Sequence, residues 1–444
     1  MPSSILIKNA TVVTMDPQIG TLENADVLVR DNRIEAIGTG LAGPADKTID
    51  ATGKIVIPGM VDTHIHMWQQ PLRGIASELW THDIYKNVVS RAREDFSPKD
   101  YETAVYACGV EMIDRGITGA VDFAHGLLTR EHAESVFAAH HRTGQRVLMG
   151  YGLTLGYALD GQRYPERDLD EKFEHIAELS KTVVTGEDAL VQLGVGLSEI
   201  EVVGMERFKR EVEFARSLGL RSTLHQNAPH QLRDMRDEGL LGSDLIPVHV
   251  NAASDEELAM VAEADIAISV TPEVEVSVGR SLTVLNRAIK QGVKLCIGTD
   301  TPARVPLDLF SQLRISNTLM QAQDALQARD GGRLPLNPRE NLATLKPGEL
   351  LATTTVNPAY AFGLGDSLGT LAPGKLADLV VMNSGRFSPL VGDPAAYAVI
   401  FGTSADVETV LVNGVVRKEE GRLVGVDEEA LMESLVELKS RVTG

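Results

Sequence analysis

The sequence predicts an α/β fold: a parallel (β/α)₈ TIM barrel flanked by a small β-sandwich built from both chain ends. Three observations carry that expectation. The middle of the chain alternates short, nearly continuous apolar runs with segments of helical spacing, as parallel strands covered on both faces require. Eight such units occupy roughly 310 residues, which suits a closed barrel better than an open sheet. Residues 4–55 and 371–424 differ, being rich in short strands and turns.

Taken in order, MPSSILIKNATVVTMD reads as the first strand of the fold and lacks the basic-then-apolar order of a secretory leader. Barrel strands are expected at 56–63, 117–123, 146–153, 190–197, 220–225, 245–250, 266–271 and 293–299. Segments 101–114, 206–218 and 255–263 have helical spacing. Asp31-Asn32, Asn413-Gly414 and Glu420-Gly421 mark turns in the terminal segments. Leu431, Leu435 and Leu438 put a last helix over 427–442. The expected division is therefore 1–57 with 371–426 as the β-sandwich, 58–370 as the barrel and 427–444 as a C-terminal helix.

Composition narrows the function. The 444 residues carry a net charge of −20, which disfavours nucleic acid or an anionic membrane surface as partner. No apolar run is long enough to span a bilayer. Two cysteines, Cys108 and Cys296, both in apolar runs, exclude a disulfide framework and point to the cytoplasm. A small-molecule enzyme fits these limits.

The eleven histidines sort by position. His82, His132, His140, His141 and His175 lie in helical or loop contexts and read as surface or core residues. His64 and His66 form H-I-H at the end of the first barrel strand, and residues two apart on a strand point the same way. His225, His249 and Asp300 close strands five, six and eight. These strand ends converge at the barrel face where active sites lie. Several histidines and an aspartate there suit one divalent metal ion, Zn²⁺ first and Fe²⁺ as the alternative.

The segment PGMVDTHIHMWQQPLRG resembles the first-strand signature of the amidohydrolase superfamily, PG-[FLM]-[IV]-[DN]-x-H-x-H. NATVVTMD and ADVLVRDNRIEAIG near the start, and NPAYAFGLGDSLGTLAPGKLADLVVMN near the end, are similar to that family's flanking domain. The nearest branch is the cytosine deaminase-like one, with chlorotriazine hydrolases and adenosine-analogue deaminases. The resemblance implies His64, His66, His225 and Asp300 as ligands of one metal, with His249 beside substrate or water. Asp300 and His249 are the catalytic candidates, for proton transfer and for orienting water or an oxyanion. No lysine ends strand four, so the bridging lysine of binuclear branches has no counterpart. Relatives are typically homo-oligomers.

Two departures matter. The acid of the usual H-x-x-E is replaced by Ala228, which cannot transfer a proton. His230, Glu199, Glu201, Glu273 and Glu275 are candidate substitutes, His230 being nearest in the chain. Strand seven ends in TPEVE instead of C-P-x-S-N, so Glu273 is a candidate for an amine-bearing substrate. Trp68 and Gln69 follow the metal pair and either contact a planar substrate or brace the loop; Arg73 reads as a brace, and His125 lines the same face. Deamination of an N-heterocyclic or aromatic amine is the expected reaction. Amide hydrolysis, or a non-hydrolytic reaction such as decarboxylation, is the alternative that Ala228 keeps open.

Overall fold

The structure is a computed structural model that describes residues 4–41, 43–75, 82–153, 169–183, 186–279, 282–332, 344–384 and 389–443, without the side chains of 82–86 and 443. His82 therefore lies outside the described side chains. Two sheets share the chain. The first receives β1 (Ser4–Val13), β2 (Thr21–Arg30), β3 (Arg33–Gly38), β4 (Lys47–Asp50) and β5 (Lys54–Pro58). The second consists of β6 (Met60–Ile65), β7 (Ile117–Ala124), β8 (Arg146–Gly152), β9 (Val191–Gly196), β10 (Ser222–Gln226), β11 (Leu245–His249), β12 (Ala267–Val270) and β13 (Lys294–Ile297). The chain then returns to the first sheet as β14 (Leu379–Asn383), β15 (Val407–Val412), β16 (Val415–Glu419) and β17 (Arg422–Leu423).

Strands β6 to β13 pair in chain order, all parallel. A parallel bridge between Ile65 and Asp300 closes the ring. Helices such as Pro98–Asp114, Met205–Ser217 and Asp255–Glu263 lie between the strands, at the segments expected to be helical. The terminal strands form one nine-stranded mixed sheet with its own core, which includes Ile7, Val27, Val56 and Leu379. Asp31, Asn413 and Glu420 all have positive φ, as turns of this tightness demand. The last helix spans Glu428–Thr443.

One expected strand divides in two. The apolar run 56–63 belongs to both sheets, β5 ending at Pro58 and β6 beginning at Met60. Gly59 is the junction, and a Cβ there would lie 2.1 Å from Thr118 Oγ1. Only glycine lets the chain pass so close to β7 while it changes sheets.

A buried ion pair ties the sheets together at the barrel base. Arg146, the first residue of β8, donates from Nε to Asp378 Oδ2 at 2.8 Å and from Nη2 to Oδ1 at 3.1 Å. Its remaining donors reach the carbonyls of Glu187 and Ala189 and the side chain of Asn413.

Candidate metal centre

The mouth of the barrel gathers the five residues expected there. His64 lies within β6 and His66 just after it, His225 within β10 and His249 at the end of β11. Asp300 follows β13, donating its N–H to His64 O at 2.8 Å and accepting from His66 N–H at 2.9 Å. All five side chains are buried or nearly so. Donor atoms of His64, His225 and His249, and of His64, His66 and Asp300, fall within 4.8 Å of one another in two overlapping groups.

Hydrogen bonding fixes which ring nitrogen of three histidines is bare. His66 Nδ1 lies 3.0 Å from Phe123 O, an acceptor only, so that nitrogen carries the hydrogen. His225 Nδ1 donates to Glu199 Oε1 at 3.1 Å. His249 Nδ1 lies 3.2 Å from Glu275 Oε1, an oxygen that already accepts from Thr271 N–H. Each Nε2 is therefore a lone pair, and all three face the common centre. His225 Nε2 is 3.3 Å from His64 Nε2, His66 Nε2 is 3.4 Å from Asp300 Oδ1, and His249 Nε2 is 3.9 Å from Asp300 Oδ2.

The electrostatics are unbalanced without a cation. Burial pushes His64 well below the usual histidine range and His66 below it, leaving neutral rings. Burial opposes the charge on Asp300 as well, but the hydrogen bond to His64 together with the charges of His64, His249 and His66 holds the carboxyl well below the usual carboxylate range. The Asp300 carboxylate and the Nε2 atoms of His66, His225 and His249 are thus buried donor atoms gathered at one place. A divalent ion among them would attract every donor and outweigh their mutual repulsion. The donor set fits one.

Backbone strain accompanies the cluster. His249, Val250 and Asp300 have φ of 70°, 57° and 71°. This is an unusual region for any side chain and most of all for β-branched Val250. Beneath the cluster, fully buried Asp62 accepts from His64 N, Thr299 N and Thr299 Oγ1. Desolvation pushes its carboxyl up to about 7. Asp62 is the [DN] position of the PG-[FLM]-[IV]-[DN]-x-H-x-H segment, the signal that marks it in the sequence, whereas nothing in their spacing sets the buried carboxylates Glu211 and Asp122 apart. Glu211 accepts from Ser198 N and Oγ and so braces the loop that presents Glu199. Asp122 accepts from Met67 N and pairs with His140 at 3.0 Å.

The other expected site residues divide between this centre and the packing around it. His230 is exposed, at φ 70° before the helix Gln231–Asp237, and is not brought to the cluster. Trp68 is 1 % exposed and stacked on Tyr101 at 5.3 Å, so it packs as core; its indole N–H points to His125 Nδ1 at 3.4 Å. Gln69 is fully buried beside it. His125 does reach the centre, its ring centroid 4.0 Å from that of His66. Glu273 is bound at backbone and side chain by Gln312, and Glu275 is fully buried, so neither offers an open acidic wall to an amine. Arg73 pairs with Glu111 at 2.9 Å, the bracing role expected of it. Ala228 sits in a loop knotted by Gln231, which accepts from Ala228 N and donates to Glu201 at 2.6 Å.

Residues 55–417 match the amidohydrolase family. The chain belongs to it. The family makes it a hydrolase of carbon–nitrogen bonds other than peptide bonds. Over 98 % of its length it is 26 % identical to the whole of a 5-methylthioadenosine/S-adenosylhomocysteine deaminase from Pyrococcus furiosus. It is also 26 % identical, over 98 % of the chain, to a 5'-deoxyadenosine deaminase from Methanothermobacter thermautotrophicus, likewise covered in full. Among solved structures, a triazine hydrolase variant superposes with a TM-score of 0.86 at 23 % identity, covering 98 % of this chain and 99 % of its own. An adenosine deaminase from Xanthomonas campestris with bound zinc gives 0.82 at 20 % identity, covering 99 % and 98 %.

Proposed function

We propose that this amidohydrolase deaminates an N-heterocyclic amine of the adenosine type, using one divalent metal ion, zinc first and iron as the alternative. The convergence of bare imidazole nitrogens on ionised Asp300 is the observation that carries this reading. His64, His66, His225 and Asp300 are assigned as the residues that hold the ion. When bound, the ion supplies the Lewis acidity that brings deprotonation of water near neutral pH.

The chain's own groups do the rest. Asp300 is ionised and accepts the water proton on its carboxylate. His249 presents an Nε2 lone pair to the same point, takes a hydrogen bond from the water and so fixes its direction of approach. The water oxygen bonds to the ring carbon that carries the amine, Asp300 passes the proton it took up to the amine nitrogen, which leaves as ammonia, and the second water proton ends on the product's ring nitrogen. His125 flanks this space beside His66 and is assigned to the substrate side. Two buried, unpaired cysteines support a cytoplasmic setting, and a homo-oligomer is part of the same proposal.

The deciding experiment has two arms on the purified protein. Metal analysis should find zinc or iron near one equivalent. Ammonia release should then follow for 5'-deoxyadenosine, methylthioadenosine or S-adenosylhomocysteine in a panel that also holds triazines, pyrimidines, pterins and cyclic amides. Amide opening without ammonia, the alternative that Ala228 keeps open, overturns deamination. Metal-free, inactive protein overturns the whole reading.

A further inference from the structure

Glu275, a candidate for the missing acid, is a carboxyl at the mouth that ending a strand does not require. It lies one turn into the short helix Pro272–Ser277 that follows β12 and is fully buried. Its backbone N–H donates to Thr271 O at 3.0 Å, and its Oε1 accepts from Thr271 N–H at 2.9 Å. The same oxygen is 3.2 Å from His249 Nδ1, as is Thr271 Oγ1. A capping role alone uses the Thr271 amide and leaves no reason to place that oxygen on an imidazole.

His249 needs such a partner. The backbone at His249 and Val250 is left-handed, so the ring projects from a strained strand end. An imidazole there can turn over, exchanging a nitrogen for a carbon at the position facing Asp300. A fixed acceptor at Nδ1 selects both the ring orientation and the tautomer.

We propose that Glu275 is the positioning residue for His249, and that the Thr271 hydroxyl alone does not suffice. Glu275 holds the hydrogen on Nδ1 and so keeps a bare Nε2 aimed at the reaction centre. Glu199 does the same for His225 through another loop. The two differ in target: Glu199 acts on an assigned metal ligand, whereas Glu275 acts on the group that orients water. The inference rests on the proposed hydrolytic reading only for its effect on turnover; the state of the ring can be measured without it.

The test compares Glu275→Ala, Glu275→Gln and the native protein, full length. Histidine-selective ¹⁵N NMR on metal-free and zinc-loaded samples reads the tautomer, with His249→Gln identifying the signal. The native protein and E275Q, which keeps an acceptor oxygen, should show His249 protonated at Nδ1; E275A should lose that signature. With 5'-deoxyadenosine, E275A should lower kcat by about 10- to 100-fold with KM within about twofold and zinc stoichiometry unchanged. E275Q should stay within about tenfold of native. If E275A is insoluble, Glu275→Asp, whose carboxyl is one methylene short of the ring, replaces it with the same expectation. An Nδ1–H tautomer that survives in E275A overturns the proposal, as does unchanged kcat or loss of zinc. Inactivity of the native protein toward the whole panel counts against the proposed reaction instead, and leaves the tautomer measurement to decide the role of Glu275.

Discussion

The mouth and the base of the barrel both bury charge, and they treat it in opposite ways. At the base, Arg146 and Asp378 are 0 % and 1 % exposed, and the guanidinium meets both carboxylate oxygens and further acceptors around it. At the mouth, Asp300 is ionised among rings that burial keeps neutral, with lone pairs turned toward it. A matched buried pair is a brace, whose loss on one side is costly. An unmatched set is a receptor for charge from outside.

Substitutions can break or sharpen that contrast. The largest effect is expected at the mouth: Asp300→Ala should lower kcat by about 10³-fold or more and leave zinc sub-stoichiometric, measured by steady-state kinetics and metal analysis. The metal-free variant should be at least as stable as the metal-free native protein, since an unbalanced buried charge has gone. At the base the order reverses. Arg146→Ala should cost about 3–5 kcal/mol in urea unfolding, because Asp378 stays buried alone, with metal content unchanged in the folded fraction. A stable Arg146→Ala protein that lost its metal would erase the distinction. Glu199→Ala should weaken zinc affinity by about 10- to 100-fold in competition with a chelator, as loss of an outer-shell carboxylate does. The smallest effect belongs to His230→Ala, which should leave turnover and unfolding within about twofold, as exposed positions do.

Legibility in the sequence follows a physical rule. Barrel strands show because burial on both faces makes them near-continuous apolar runs. The five residues of the centre show because they end those runs, and strand ends in a closed barrel converge whatever the loops do. What lies beyond depends on side-chain reach. Glu199 and Glu275 come to histidines from different loops, 26 residues away in each case. Trp68 sits beside the metal pair in sequence, yet it turns inward onto Tyr101. His230 is near Ala228 in the chain, but a left-handed residue at a helix start points it to solvent. The join at Gly59 was hidden because one apolar run serves two sheets without a break. Proximity along the chain misleads wherever the backbone turns.

Asp300 also stitches the eighth barrel strand to the first, through His64 O and His66 N–H. The seam between the two ends of the ring therefore coincides with the place assigned to the ion. That seam joins segments separated by the whole barrel sequence, the strand contact with the greatest loop-closure cost within the ring. An ion bound there adds its binding free energy to ring closure. It acts as a clasp as well as a reagent. A chain still lacking its eighth strand has no seat for it, so competence for catalysis reports that the ring is complete.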